Sequence, residues 1–227
     1  MKRLLWCGGS HLAHAQDHIL QRWPDADNSF YVTAGPENNR WSARGGRYPV
    51  RGTCIGPNAY HPVRSIDLSH YDAIVFIGQW IQPHKVFRAH QPLSAELLDC
   101  IVSDGGILLQ PPDGAFNEPL QLFPALAPSR CWLLCDPYPH ADSHWEAHHC
   151  HGHYRDIPTT YIAAYIEGLK QFCAERDIQL LLQPDSSHRN RVTLAHYSRG
   201  DRIHMNDAFW SLTLDQLREG NAFFTTD

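Results

Sequence analysis

The chain has 227 residues, of which 43% are hydrophobic, and this is enough to bury the core of one globular domain. Its formal net charge of −5 argues against nonspecific nucleic-acid binding, because such binding needs a basic surface. No apolar run approaches the length needed to span a membrane. The composition predicts a single domain over residues 1–227, with no membrane span and no nucleic-acid partner.

The first residues resemble the start of a signal peptide, but Gly8-Gly9-Ser10-His11 interrupts the apolar run too early. We therefore interpret this run as the first strand of the fold. The seven cysteines are scattered and include no Cys-x-x-Cys pair. Without a signal peptide, we expect them to be reduced thiols of a cytoplasmic protein.

Apolar runs that end near glycine or proline alternate with segments of helical spacing along the chain. The strands are predicted at residues 4–7, 29–33, 72–78, 107–110, 131–135 and 178–182. The helices are predicted at residues 11–23, 93–102, 159–176 and 206–217. Residues 36–65 are rich in Gly, Pro, Asn and Arg and are predicted to form a long loop, and residues 113–128 are ambiguous. This alternation predicts an α/β fold, a three-layer α/β/α sandwich with a central parallel sheet.

The candidate chemistry lies at the two ends of the chain. Ser10 follows the first predicted strand, and a hydroxyl on such a turn lies at the edge where open α/β sheets have their active sites. Asp201 and His204 come just before the last predicted helix. His204 can remove the Ser10 proton while Asp201 orients the imidazole, which makes these residues a candidate catalytic triad. The alternative is that Ser10 is an ordinary turn residue or helix N-cap and His204 a surface histidine.

These motifs resemble those of the SGNH (GDSL-like) hydrolase superfamily over nearly the whole chain. Gly8-Gly9-Ser10 is similar to the family's Gly-Asp-Ser turn, and Asp201-Arg202-Ile203-His204 is similar to its Asp-x-x-His motif. Gly35 follows the second predicted strand, where the family has a glycine, and Gly78-Gln79-Trp80 stands where the family has Gly-x-Asn. The resemblance implies an SGNH-hydrolase-like (flavodoxin-like) fold.

The resemblance also implies an oxyanion hole that includes the backbone N–H groups of Ser10 and Gly35. Trp80 replaces the family's asparagine, so the third donor stays open between Gln79, Asn117 and the Trp80 indole. The implied activity is ester hydrolysis or O-acyl transfer through an acyl-enzyme on Ser10, with a small-molecule or carbohydrate ester as substrate and no metal or organic cofactor. The alternative is a catalytically weak SGNH-like protein that binds a glycan or a sugar nucleotide.

Three further patterns have both a functional and an ordinary interpretation. Residues 140–153 contain six histidines and Cys150, which suit zinc, but we expect a solvated loop there and no built metal site, with an active-site lid as a further alternative. The predicted loop at residues 36–65 contains four arginines, namely Arg40, Arg44, Arg47 and Arg51. They either bind a phosphate or carboxylate group of a ligand or are ordinary solvent-facing residues of a loop. Cys7 lies close to the proposed nucleophile in the chain, but on a strand it either points away from the site or is buried, so we reject a cysteine nucleophile.

Overall fold

The computed structural model of the protein describes residues 1–32, 53–55, 68–78, 130–134, 137–138, 159–200 and 204–225. Within these ranges, six parallel strands form one sheet, namely β1 (Arg3–Gly8), β2 (Asp27–Val32), β3 (Thr53–Ile55), β4 (Ala73–Ile77), β5 (Arg130–Leu134) and β6 (Ile178–Leu181). Their order across the sheet is β3-β2-β1-β4-β5-β6. The predicted central parallel sheet is confirmed for the described residues.

Helices cover both faces of this sheet. They are α1 (Ser10–Arg22), α2 (Thr159–Ala174) and α3 (Asp207–Glu219). Helices α1 and α3 pack on one face, and α2 packs on the other. The connection from β1 to β2 therefore uses one face and the connection from β5 to β6 uses the opposite face, as in doubly wound sheets. Without the short β3, the strand order β2-β1-β4-β5-β6 is that of flavodoxin-like sheets. From β1 the chain adds strands first on one side, at β2, and then on the other side, from β4 onward, and we call this point the reversal of strand order.

The strands form where continuous apolar runs can be buried on both sides. Leu4 and Trp6 of β1 face α1 and α3, whereas Leu5 and Cys7 face α2, and all four side chains are fully buried. Strand β4 is buried in the same way along its whole length. Two-sided burial explains why these strands read as apolar runs rather than as alternating patterns.

An aromatic cluster fills the core beneath α1. Trp6 is fully buried, with its ring centroid 5.3 Å from that of Trp23 and 6.4 Å from that of Phe224. The indole Nε1 of Trp6 donates to Asn28 Oδ1 at 2.9 Å, and the indole Nε1 of Trp23 donates to the Phe224 carbonyl at 3.0 Å. Both buried indole N–H groups are therefore satisfied, and the second bond ties the end of the described chain to the core.

A side-chain clamp joins α1 to α3. Arg22 Nε lies 3.0 Å from Asp215 Oδ1, and its Nη2 lies 3.1 Å from Asp215 Oδ2 and donates to the Ser211 carbonyl at 3.0 Å. This guanidinium lowers the pKa of the Asp215 carboxyl by hydrogen bonding and by its charge. The clamp fixes the two helices whose N-termini lie at the carboxyl edge of the sheet.

Most predicted elements that fall on described residues are confirmed within two residues at their ends. The long loop predicted at residues 36–65 is wrong in one part, because residues 53–55 form strand β3 and pair with β2. The elements predicted at residues 93–102 and 107–110, and the ambiguous residues 113–128, lie outside the described residues. Among the described helices, none combines the length and the apolar character that a membrane crossing requires.

Candidate active site at the carboxyl edge of the sheet

Ser10 is the first residue of α1 and is separated from the end of β1 by Gly9 alone. The N-cap of the helix is Gly9, whose carbonyl accepts from Leu12 N at 3.1 Å. Ser10 therefore does not serve as the N-cap, and only that part of the alternative interpretation is wrong. Its half-buried hydroxyl lies at the start of the helix, where the first N–H groups have no acceptor within the helix.

The turn before Ser10 is tight because Gly8 has no side chain. A Cβ atom added to Gly8 would lie 2.6 Å from the Leu12 Cβ and 2.7 Å from the Ile77 carbonyl oxygen. These distances are too short for any larger residue, so glycine lets α1 approach β1 and β4 closely. The same close approach fixes the position of Ser10 relative to the end of β4.

Gly78 ends β4 in the way that Gly8 ends β1. It adopts a φ of +63°, a conformation that favours glycine, and its N–H donates to the Leu134 carbonyl at 3.3 Å. Gly8 pairs with Ile77 in the sheet, so Ser10 and Gly78 lie within two residues of neighbouring strand ends. These strands flank the reversal of strand order, which is where α/β sheets of this kind bind ligands.

The imidazole of His204 lies beside the first turns of α1. Its ring centroid is 5.4 Å from that of His11 and 4.3 Å from that of His14. His11 is the chain neighbour of Ser10, so the structure brings His204 and the predicted nucleophile to the same helix end. Among the contacts described for His204 are these two ring contacts and a backbone hydrogen bond to Arg199, and none of them joins His204 to Ser10.

The segment that carries His204 is anchored on both sides. The His204 carbonyl accepts from Arg199 N at 3.0 Å, and the next residue, Met205, is buried in the core. Asn206 then caps α3, because its Oδ1 accepts from Phe209 N at 3.2 Å. Its amide Nδ2 also donates to the His196 carbonyl at 2.6 Å. These contacts hold the backbone of His204 at the N-terminus of α3.

One face of α1 is lined by histidines that were not among the predicted site residues. His11, His14 and His18 are spaced by three and four residues, which places them on one side of the helix. His14 Nδ1 lies 2.6 Å from Arg199 Nη1, and His18 Nε2 lies 3.3 Å from Asp207 Oδ1. The spacing of these histidines was the signal in the sequence that would have predicted this face.

The other predicted site residues lie outside the described residues, namely Gly35, Gln79, Trp80, Asn117 and Asp201. The histidine-rich segment at residues 140–153 and the arginines at positions 40–51 also lie outside them. Within the part of the chain that the structure describes, no group of three or more His, Cys, Asp or Glu side chains is arranged to hold a metal ion.

Cys7 is the described thiol that lies nearest to Ser10 along the chain. It is fully buried in the core on the α2 side of the sheet, opposite α1. Burial raises its pKa well above the usual value, and the neighbouring Cys131 raises it further. Cys7 therefore stays protonated at neutral pH, which argues against a thiolate nucleophile at this position.

Comparisons of the chain with protein-family models, with curated proteins and with solved structures give no match.

Proposed function

We propose that this protein is a serine-dependent ester hydrolase or O-acyltransferase of the SGNH (GDSL-like) type, with Ser10 as the nucleophile. One observation carries the proposal. Ser10 begins α1 at the reversal of strand order, and the imidazole of His204 packs against the first turns of the same helix. A hydroxyl and an imidazole at one sheet edge are the two groups that acyl transfer needs first.

The reaction forms and breaks one ester bond on the enzyme. The Ser10 oxygen attacks the acyl carbonyl while His204 takes the hydroxyl proton, and the tetrahedral intermediate expels the alcohol, to which His204 returns that proton. Water or a second hydroxyl then attacks the acyl-enzyme with His204 as the base, and the bond between the acyl group and Ser10 Oγ breaks as His204 returns the proton to Ser10. The proposed reaction requires a Ser10–His204 hydrogen bond in the substrate complex, since such contacts are often loose without substrate.

Two charges develop in this reaction, the oxyanion of the tetrahedral intermediate and the positive charge on His204. In the proposal, the N-terminus of α1 stabilises the first and Asp201 stabilises the second. The Ser10 backbone N–H belongs to the first helical turn, and the positive end of the helix dipole favours an oxyanion there. Gly35, Gly78, Gln79 and Trp80 supply the rest of the oxyanion and substrate-binding site in this proposal. Asp201 holds the His204 imidazole in the tautomer that accepts the proton.

Replacing His204 by alanine tests the role of the base. We expect His204→Ala to lower kcat/KM for an aryl acetate by about 100- to 10,000-fold, the usual contribution of a general base. His196→Ala is the matched control, because His196 is an exposed histidine of the same segment, and it should keep the wild-type rate. Equal rates for His204→Ala and the wild type would contradict the proposal.

A further inference from the structure

A short antiparallel pairing brings Arg199 opposite His204. Arg199 N donates to the His204 carbonyl at 3.0 Å, and the neighbouring residues Ser198 and Met205 form an antiparallel β-bridge. Met205 is buried in the core, so this pairing is anchored beside the N-terminus of α3. The backbone of Arg199 therefore helps to fix the backbone of His204.

The side chain of Arg199 reaches α1. Its Nη1 lies 2.6 Å from His14 Nδ1. A guanidinium has donors and no acceptor, so this hydrogen bond requires the lone pair of His14 Nδ1. Only a His14 ring that carries its proton on Nε2 offers that lone pair. Arg199 thus fixes both the orientation of the His14 ring and the nitrogen that carries its proton.

The His14 ring packs against the imidazole of His204. Their centroids are 4.3 Å apart, and their planes are inclined by 55°. His11 contacts His204 at a longer centroid distance of 5.4 Å, and its own ring lies 6.2 Å from that of the buried Trp210. The two histidines of α1 limit the orientations that the His204 side chain can adopt. His11 is held by the core, whereas His14 is held by Arg199.

The position of His14 on α1 relates His204 to Ser10. Ser10 and His14 are four residues apart in the helix, and this spacing places them on the same side of it, about one turn apart. Because both residues belong to one helix, contact with His14 sets the position of the His204 ring relative to Ser10. Arg199 therefore links the segment of His204 to the helix of Ser10 through one side-chain hydrogen bond.

We propose that Arg199 is a positioning residue for the His204 imidazole and acts on it through His14. This role rests on the proposed acyl-transfer function, since the orientation of His204 affects turnover only if His204 moves a proton. Arg199 and His14 hold the ring of the base and take no part in the bond changes. Misplacing a catalytic group by about 1 Å can cost about 100-fold in rate, so the role is measurable.

Arg199→Ala separates the two links between Arg199 and His204. The variant keeps the backbone N–H that donates to the His204 carbonyl and loses the bond to His14. We expect kcat for an aryl acetate to fall about 10-fold with KM nearly unchanged, because the substrate contacts stay and the base is less well oriented. Arg189→Ala removes an exposed arginine outside this pairing and should keep the wild-type kcat. An unchanged kcat in Arg199→Ala would overturn the proposal.

A double-mutant cycle tests whether Arg199 acts through His14. His14→Ala should lower kcat at least as much as Arg199→Ala does. The variant with both substitutions should lose no more than His14→Ala alone, because the route from Arg199 to His204 is already broken. Losses that multiply in the double variant would show that Arg199 acts independently of His14, against the proposal.

Proton NMR of the full chain separates this inference from the proposed function, because it needs no turnover. The ring signals of His14 and His204 are assigned by their loss in His14→Ala and His204→Ala. We expect a nuclear Overhauser contact between the two rings in the wild type and in Arg189→Ala, and a weaker one in Arg199→Ala. An equally strong contact in Arg199→Ala would refute the positioning role. An inactive wild type whose ring contact depends on Arg199 would contradict the hydrolase proposal and confirm that Arg199 holds the His204 ring.

Discussion

Replacing Ser10 by alanine is expected to lower kcat/KM for an aryl acetate at least about 1000-fold, because the substitution removes the oxygen that forms the acyl-enzyme in the proposed mechanism. Ser10 is not the N-cap of α1, so removing its hydroxyl should leave the helix intact. The loss of kcat/KM should therefore come from the chemical step and not from unfolding. The rate is measured by release of the aryl alcohol. A far-ultraviolet circular dichroism spectrum checks that the variant is folded.

Ser186→Ala is the matched control for this substitution. Ser186 is an exposed serine of the segment that follows β6, so its hydroxyl should not affect turnover. Wild-type activity in Ser186→Ala together with its loss in Ser10→Ala assigns the nucleophile. Retained activity in purified Ser10→Ala protein would remove Ser10 from the mechanism.

Replacing Trp6 by alanine is expected to destabilise the fold by about 3–5 kcal/mol, the range for removing a buried aromatic side chain. Trp6 is fully buried between Trp23 and Phe224, and it satisfies Asn28 through its indole N–H. Because a domain of ordinary stability has about 5–15 kcal/mol in total, this single change brings the protein close to unfolding.

Trp6→Phe separates the packing of Trp6 from its hydrogen bond. It keeps an aromatic ring but leaves the buried Asn28 Oδ1 without the indole donor, which should cost about 1–3 kcal/mol. Urea unfolding followed by circular dichroism gives both values. A loss below about 1 kcal/mol for Trp6→Ala would show that this aromatic cluster does not hold the core together.

The strands that the sequence predicts best are those buried on both faces. Strands β1 and β4 appear as continuous apolar runs because α1 and α3 cover one side and α2 covers the other. Strand β3 was missed because three residues are too few to show a period. A short hairpin of β7 (His188–Arg189) and β8 (Val192–Thr193) was missed because its turn is Asn190-Arg191, without the glycine that usually marks such turns.

The position of Ser10 could be predicted because it depends on local features, an apolar strand and a glycine turn. The packing of His204 against His14 could not, since it depends on how α1 and α3 pack side by side on one face of the sheet. The Arg22–Asp215 clamp sets that arrangement, and its partners lie 193 positions apart in the chain. Tertiary contacts of this kind leave no periodic signal in a single sequence.

Labelling with a fluorophosphonate probe tests the central claim most directly. An activated serine displaces fluoride from the probe and forms a stable phosphonyl ester, whereas an ordinary surface serine does not. We expect one adduct per chain in the intact mass, located by peptide mapping on the segment that contains Ser10, and no adduct in Ser10→Ala. No adduct on the folded wild-type protein, or an adduct on another residue, would contradict the account and favour a glycan-binding or sugar-nucleotide-binding protein.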